Sequence, residues 1–216
     1  MIGAPHYGAT LMRVYRRAED RRKYALFTVY LSALVWLWFG LGLYDVAIGS
    51  ALITLYFTWS PYHYTGQNYG LSVMFLRRRG IAFDETTKKW LYASFMLSFG
   101  LAFVSLHRHM GGVSTGGDFA GTPYHFIHLG IPLSIQGVVF GGLLALYLIA
   151  TAVAFQRLLK DARPVDLAPV AGLVLSQALW FSIPETYLWL TRATLPSQGV
   201  GWLFIWAILG HSVQYL

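Results

Sequence analysis

The sequence predicts an all-α protein, a polytopic bundle of about six transmembrane helices with its N-terminus in the cytoplasm. Three observations favour this fold. Of the 216 residues, 56% are hydrophobic and only 12% are charged, whereas a soluble domain carries about 25% charged residues. Six apolar stretches reach or approach the roughly 20 residues that a helix needs to cross a bilayer. The basic residues gather in alternate loops, as the positive-inside rule requires.

The six predicted spans follow one another with short polar connections. In chain order they are Tyr24–Tyr44, Val46–Ser60 with its polar continuation, Lys89–Leu106, Pro132–Phe155, Leu167–Leu190 and Val200–Leu216. We expect one integral-membrane domain over residues 1–216, with a cytoplasmic amphipathic segment at 1–23 and the helical bundle at 24–216. The closing GHSVQYL has no charge or turn residue to end a helix. The natural chain is therefore expected to continue beyond Leu216.

The charge distribution sets the predicted orientation and membrane. Basic clusters occupy Arg13–Lys23, Arg77–Lys89 and Arg157–Arg163, and the loops between them hold only Arg108 and Arg192. This alternation predicts an integral protein of the cytoplasmic (inner) membrane, with the lipid bilayer as its partner. The net charge of +7 is explained by topology. No aromatic stacking platform or long basic stripe accompanies it, so nucleic acid is excluded as a partner.

Proline predicts a break or a kink in the second span. Pro61 follows the apolar run that ends near Trp59, and proline removes a hydrogen bond inside a helix. We expect a tilted or partly re-entrant helix to start at Tyr62. On that helix His63 and Gln67 are i, i+4 neighbours and share a face. Polar backbone at this depth is tolerated only where it is buried in protein or lines a cavity.

Histidine is the main candidate for chemistry. The chain has seven histidines and no cysteine, so imidazole is the natural ligand for iron, copper or zinc. His211 lies roughly 16 Å below the outer face at about 1.5 Å per helical residue. His6, in an amphipathic segment, His63 and His211 are expected to converge from the cytoplasmic half. His128 is a further candidate ligand, in HFIH near the outer side.

Three other polar residues are candidates for the site. Gln67 follows His63 by four residues and Gln214 follows His211 by three. A glutamine carbonyl so placed can accept the second imidazole N–H and fix the tautomer of a metal-bound ring. Glu185 is the one carboxylate well inside a predicted span, and it can pair with histidine or Arg108 or supply an oxygen ligand. Motifs of P-loop NTPases, zinc proteases, serine hydrolases and HxxxH desaturases are absent from the sequence.

Three short stretches carry a resemblance to known proteins. PHYGAT contains His6, HYTGQNYG contains His63 and Gln67, and HSVQYL contains His211. This layout resembles a group of bacterial multi-spanning proteins and, more distantly, the Brp/Blh-type carotenoid-cleaving dioxygenases. That likeness implies an all-helical membrane enzyme with a non-haem iron held by histidines. The sequence lacks the closely spaced late histidine pair of the carotenoid enzymes, which a chain continuing beyond Leu216 would supply.

These observations favour an integral-membrane metalloenzyme, a non-haem iron oxygenase that acts on a hydrophobic isoprenoid or lipid substrate. A proton-coupled transporter is the second hypothesis, because Pro61, Glu185 and the histidines suit a broken helix with proton-relay groups. A non-catalytic membrane subunit or assembly factor is the third.

Overall fold

Helices make up most of the chain that the computed structural model describes, namely residues 15–16, 18–107, 118–119, 122–192 and 210–211. The all-helical class is confirmed, since the described strands are one antiparallel pair of two residues each. The α-helices and strands in chain order are α1 (Ala18–Lys23), α2 (Ser32–Gly42), α3 (Val46–Arg78), α4 (Glu85–Leu106), β1 (Asp118–Phe119), β2 (Thr122–Pro123), α5 (Leu133–Asp161), α6 (Ala168–Gln177) and α7 (Ile183–Thr191).

Three stretches of other helical geometry join these elements. Wide π turns at Leu26–Leu31 precede α2, a 3-10 turn at Pro164–Leu167 leads into α6, and a second π segment at Ala178–Ser182 joins α6 to α7. Proline explains the second π segment, because Pro184 in the next turn has no N–H to give to the carbonyl four residues earlier. The amide of Ile183 instead reaches the carbonyl of Ala178, five residues back. The helix widens there and continues.

The described chain forms two compact units. The first contains the residues up to Leu55, those from 118 to Ile127, and 210–211. The second contains residues 56–107 and 128–192.

In the first unit, α2 and α3 form a close helical hairpin. The carboxylate of Asp45 accepts the amide of Ile48 at 2.8 Å and so caps α3. The indole of Trp38 donates to the carbonyl of Ile48 at 3.1 Å. Glycine permits the close approach, because a Cβ on Gly49 would lie 2.7 Å from the carbonyl oxygen of Gly42 and would overlap the Tyr124 ring.

An extended segment after β2 is bonded along the start of α3, also within the first unit. The amide of His125 donates to the Ser50 hydroxyl at 2.9 Å, and the amide of Ile127 donates to the Thr54 hydroxyl at 2.8 Å. Ser50 and Thr54 are one helical turn apart, whereas His125 and Ile127 are two residues apart in an extended chain. The two spacings match, so the segment and the helix lie side by side.

In the second unit, the end of α3 and the start of α4 are set by their capping residues. Gly80 adopts a positive φ of 68°, and the amide of Ile81 reaches back to the carbonyl of Leu76 at 3.0 Å. This is the pattern of a Schellman cap, which glycine completes without strain. Asp84 then caps α4 by accepting the amide of Thr87 at 2.7 Å.

Helices α4 and α5 pack antiparallel within the second unit. The hydroxyls of Ser94 and Thr151 lie 2.9 Å apart, and nearer the other end Leu101 and Phe140 share a buried cluster. A larger cluster joins α3, α4, α5 and α6, and its members are Leu76, Leu91, Phe95, Ala154, Leu158, Leu167, Val170 and Leu173.

Three stretches of the described residues are helical, long and apolar enough to cross a membrane. They are Glu85–Leu106, Leu133–Asp161 and Pro164–Thr191, and Leu26–Gly42 is a shorter apolar stretch. Large apolar side chains such as Trp36 and Val138 are exposed on the helices, at 71% and 78%, as a lipid environment allows. The count of six spans and the cytoplasmic N-terminus stay predictions, and the sixth span lies outside the described residues except at 210–211.

The predicted break at Pro61 is wrong. Helix α3 runs without interruption from Val46 to Arg78 with Pro61 inside it, so no new helix begins at Tyr62. The hydroxyl of Thr65 donates to the carbonyl of Pro61 at 2.7 Å. The amide that proline lacks would donate to the carbonyl four residues before it, so this hydroxyl does not replace the missing bond. The helix continues with one internal hydrogen bond fewer.

Replacing Gly49 with alanine should destabilise the hairpin by about 1–3 kcal/mol, because the new methyl group overlaps the Tyr124 ring and the Gly42 carbonyl. Thermal unfolding of the purified protein in detergent measures this effect. Gly40→Ala is the matched control, since no described atom lies within 4 Å of its added Cβ. Equal melting temperatures for the two variants would contradict the close packing.

Candidate functional site

The structure places the predicted ligands in different settings. His63 is on α3 in the second unit with an exposed side chain, its ring 6.0 Å from that of Tyr64. His211 belongs to the first unit, is helical and is only 3% exposed. His6 and Gln214 lie outside the described residues. The convergence of the imidazoles therefore stays a prediction.

No group of three histidine, aspartate or glutamate side chains arranged for a metal ion occurs in the described part of the chain. Gln67 does not make the predicted hydrogen bond to His63. Both of its amide atoms are buried, and neither has a hydrogen-bond partner among the described residues. Burying such a group without a partner costs roughly 1–3 kcal/mol. The Gln67 amide can therefore still donate and accept hydrogen bonds, and it lies one helical turn from His63.

Two histidines meet at the end of α4 in the second unit. His107 is 4% exposed, and its Nε2 lies 3.1 Å from the Thr58 hydroxyl of α3. The Nδ1 of His128 lies 3.1 Å from the carbonyl oxygen of Leu106. A carbonyl only accepts, so Nδ1 carries the proton and the lone pair of the neutral ring is on Nε2. A backbone carbonyl fixes the tautomer of metal-ligating histidines in the same way.

Glu185 lies in the first turn of α7, directly after the second π segment, and its side chain is partly buried. The residues before it are helical too, with Ser182 in the right-handed helical region, so no free helix N-terminus offsets the charge of a carboxylate here.

A buried polar network joins α3 to α6, and its residues are not among those predicted from the sequence. The Asn68 amide donates to the carbonyl oxygen of Gln177 at 3.0 Å, and the Gln177 amide donates to the Thr65 hydroxyl at 2.7 Å. Thr65, Asn68 and Gln177 are each no more than 1% exposed. The Ser72 hydroxyl, donating to the carbonyl of Asn68 at 2.8 Å, extends the buried polar face of α3.

A smaller polar contact lies where the second π segment meets α4. The hydroxyls of Ser98 and Ser182 are 2.5 Å apart and buried. The sequence signal for both contacts was present: a glutamine and a serine interrupt the apolar run from Leu167 to Leu190, and Thr65, Asn68 and Ser72 recur at helical spacing.

One charged cluster lies at the other end of the second unit, between the caps of α4 and α5. The Arg157 guanidinium donates to the Asp84 carboxylate at 2.6 Å and to the Thr87 hydroxyl at 3.0 Å. Hydrogen bonds from the hydroxyl and amide of Thr87, helped by Arg157, lower the pKa of Asp84 to about 2. The cluster lines a cleft of about 310 Å³.

No protein-family model, no curated protein and no solved structure matches this chain. The likeness to carotenoid-cleaving dioxygenases consequently stays an expectation from three short stretches.

Replacing Gln177 with methionine should lower the free energy of unfolding by about 1–3 kcal/mol, because it leaves buried groups of Asn68 and Thr65 without partners. The double variant Gln177→Met with Asn68→Leu removes both amides. It should cost less than the sum of the single changes, as expected for directly bonded residues. Denaturant titration of the three variants measures this coupling, and strict additivity would show that the bond contributes nothing.

The pH dependence of stability should change in Asp84→Asn, which keeps a good capping residue and removes the charge. The folded pKa of Asp84 is about 2 against an ordinary 3.8. Its carboxylate therefore stabilises the fold fully above pH 3.8, and this contribution disappears as the pH falls through about 2. Melting temperatures of the two proteins should converge over that window. A gap that is constant between neutral pH and pH 2 would contradict the assignment.

Proposed function

We propose that this chain is an integral-membrane metalloenzyme of the cytoplasmic membrane, a non-haem iron oxygenase with a hydrophobic isoprenoid or lipid substrate. In this proposal six spans cross the bilayer with the N-terminus in the cytoplasm. His6, His63 and His211 hold the metal, with His128 as a further candidate. Gln67 and Gln214 orient the ligands, and Glu185 supplies a carboxylate.

The burial of His211 carries the proposal. Its side chain is 3% exposed within the stretch GWLFIWAILGHSV. Ionisable side chains in membrane-spanning segments are expensive to keep and are usually functional. A metal ion is one partner that offsets this cost, and with no cysteine in the chain imidazole is its natural ligand.

The face of α3 that carries His63 supports the same site. At about 100° per residue, His63, Gly66, Gln67 and Gly70 lie on one side of α3, opposite Thr65 and Ser72. His63, Gly66 and Gly70 are exposed, and no described atom lies within 4 Å of a Cβ added at either glycine. Groups from elsewhere can therefore approach the imidazole.

The chemistry follows from this donor set. Iron held by these histidines would supply the activation of dioxygen. The apolar exposed helices admit a hydrophobic substrate from the bilayer. The Gln67 amide, which is buried and has unused hydrogen-bonding capacity, can orient His63 or a polar substrate group after a change of its rotamer.

Transport is the second candidate, and one observation favours it. The last described span is widened at Ala178–Ser182, and Glu185 follows in the next turn. Short π segments inside helices are frequent at functional sites, and carboxylates inside membrane spans carry protons in transporters.

Metal analysis of the purified full chain tests the proposal. We expect about one iron per chain, because one ligand set holds one ion. His63→Ala and His211→Ala should each lose most of this iron and lower the melting temperature, since a ligand that binds the folded state stabilises it. His125→Ala is the control, because His125 is exposed and its bond to Ser50 comes from the backbone.

The proposal is wrong if iron, copper and zinc are all sub-stoichiometric and both histidine variants keep the wild-type melting temperature. A metal-free chain that co-purifies with a larger complex would instead identify a non-catalytic subunit.

A further inference from the structure

Three parts of the chain meet at one end of the second unit. Arg157, near the end of α5, bonds to Asp84 and Thr87 at the start of α4. Arg79, just after α3, donates to the carbonyl of Val165 at 3.2 Å and lies 3.7 Å from the Asp166 carboxylate. These contacts hold the end of α3, the start of α4 and the end of α5 together as one surface.

This surface is strongly basic. Residues 77–89 and 157–166 contain eight lysines and arginines and four acids, which is a net charge of +4. Four of the cations are in ion pairs, and the pairs are Arg79–Asp166, Lys88–Glu85, Arg157–Asp84 and Arg163–Asp166. Two of these pairs, Arg79–Asp166 and Arg157–Asp84, join different parts of the chain, and the other two are local i, i+3 pairs. The remaining cations form a second set.

The second set consists of Arg77, Arg78, Lys89 and Lys160, which we call the open cations. All four are exposed, and none forms an ion pair with a described residue. They come from three helices, α3, α4 and α5. Asp161, next to Lys160, is the one acid of these two segments that is in none of these ion pairs. The four open cations and Asp161 together carry a net charge of +3.

Apolar and aromatic side chains adjoin the open cations. Trp90 and Tyr92 follow Lys89 and are 37% and 44% exposed, and Leu159 precedes Lys160 and is 47% exposed. Tryptophan and tyrosine prefer the level of the lipid headgroups. The mixture of exposed cations and interfacial aromatic rings matches the boundary between headgroups and acyl chains.

We propose that the open cations form a binding surface for the headgroups of anionic phospholipids. Basic residues beside a transmembrane helix attract anionic lipid, and here the segments that carry them are joined by the pairs Arg79–Asp166 and Arg157–Asp84. The inference rests on the membrane integration in the proposed function and is independent of the metal.

Lipid phosphate fits this surface better than free phosphate. The four cations are spread over three helix ends on an exposed rim, where several lipid headgroups can be contacted at once. The neighbouring cleft is the alternative place for an anion, but its lining has two acids, Asp84 and Asp161, against two cations, Arg157 and Lys160. The cleft therefore offers a small anion no net positive charge.

Native mass spectrometry of the full chain with phosphatidylglycerol or phosphatidylcholine tests the surface. The wild-type protein should retain phosphatidylglycerol in preference to phosphatidylcholine. The variants R77Q/R78Q and K89Q/K160Q should each retain roughly 25-fold less phosphatidylglycerol, because each removes two charges at roughly a fivefold change per charge. Retention of phosphatidylcholine should be unchanged.

The matched control is R21Q/R22Q in α1, which removes the same charge from two other exposed arginines. An equal loss in this control would show attraction to net charge alone and would overturn the proposal, as would equal retention of the two lipids by the wild type. Displacement of phosphatidylglycerol by inorganic phosphate at matched ionic strength would show a free-anion site instead. Iron content in the same variants should be unchanged, which separates this test from that of the metal site.

Discussion

The hydrogen bond between Asn68 and Gln177 reflects the constraint on which the rest of the structure depends. In a chain this apolar, buried polar groups have to find their hydrogen-bond partners within the protein. An unpaired amide in hydrocarbon costs several kcal/mol on transfer scales, so the network of Thr65, Asn68 and Gln177 fixes how α3 is rotated against α6. That rotation determines which residues of α3 face the other way. His63 and Gln67 therefore lie on the face of α3 opposite the Thr65–Asn68–Gln177 network. The candidate site thus depends on hydrogen bonds in which none of the candidate ligands takes part.

Neutral and charged polar groups occupy different parts of the second unit. Its interior holds amides and hydroxyls, such as Gln177 and the pair Ser98–Ser182. The ion pairs, such as Asp84–Arg157, lie at the helix ends. This separation is physically reasonable because burying an ion costs far more than burying a hydrogen-bonded hydroxyl. Glu185 is the exception, because it is a partly buried carboxylate within a continuous helical stretch.

The sequence predicted the helical class well, and it located the spans near Lys89–Leu106, Pro132–Phe155 and Leu167–Leu190, because apolar runs and basic loops are local signals. The site was less predictable. Proline at position 61 indicated a break, but the loss of one amide donor does not end a helix that continues on both sides of it. Gln177 received no role, because its partners Thr65 and Asn68 are more than one hundred positions away in the chain. The sequence shows which residues are polar, whereas their pairing depends on how the helices pack.

In the first unit, α3 and the extended segment that lies along it contribute different groups to the hydrogen bonds between them. Ser50 and Thr54 contribute side chains, whereas His125 and Ile127 contribute only backbone amides. Any residue except proline has that amide. Among related sequences, positions 125 and 127 are therefore free to diverge, while 50 and 54 must keep a small hydroxyl group. Natural variation at this contact would therefore be found in the extended segment and not in α3.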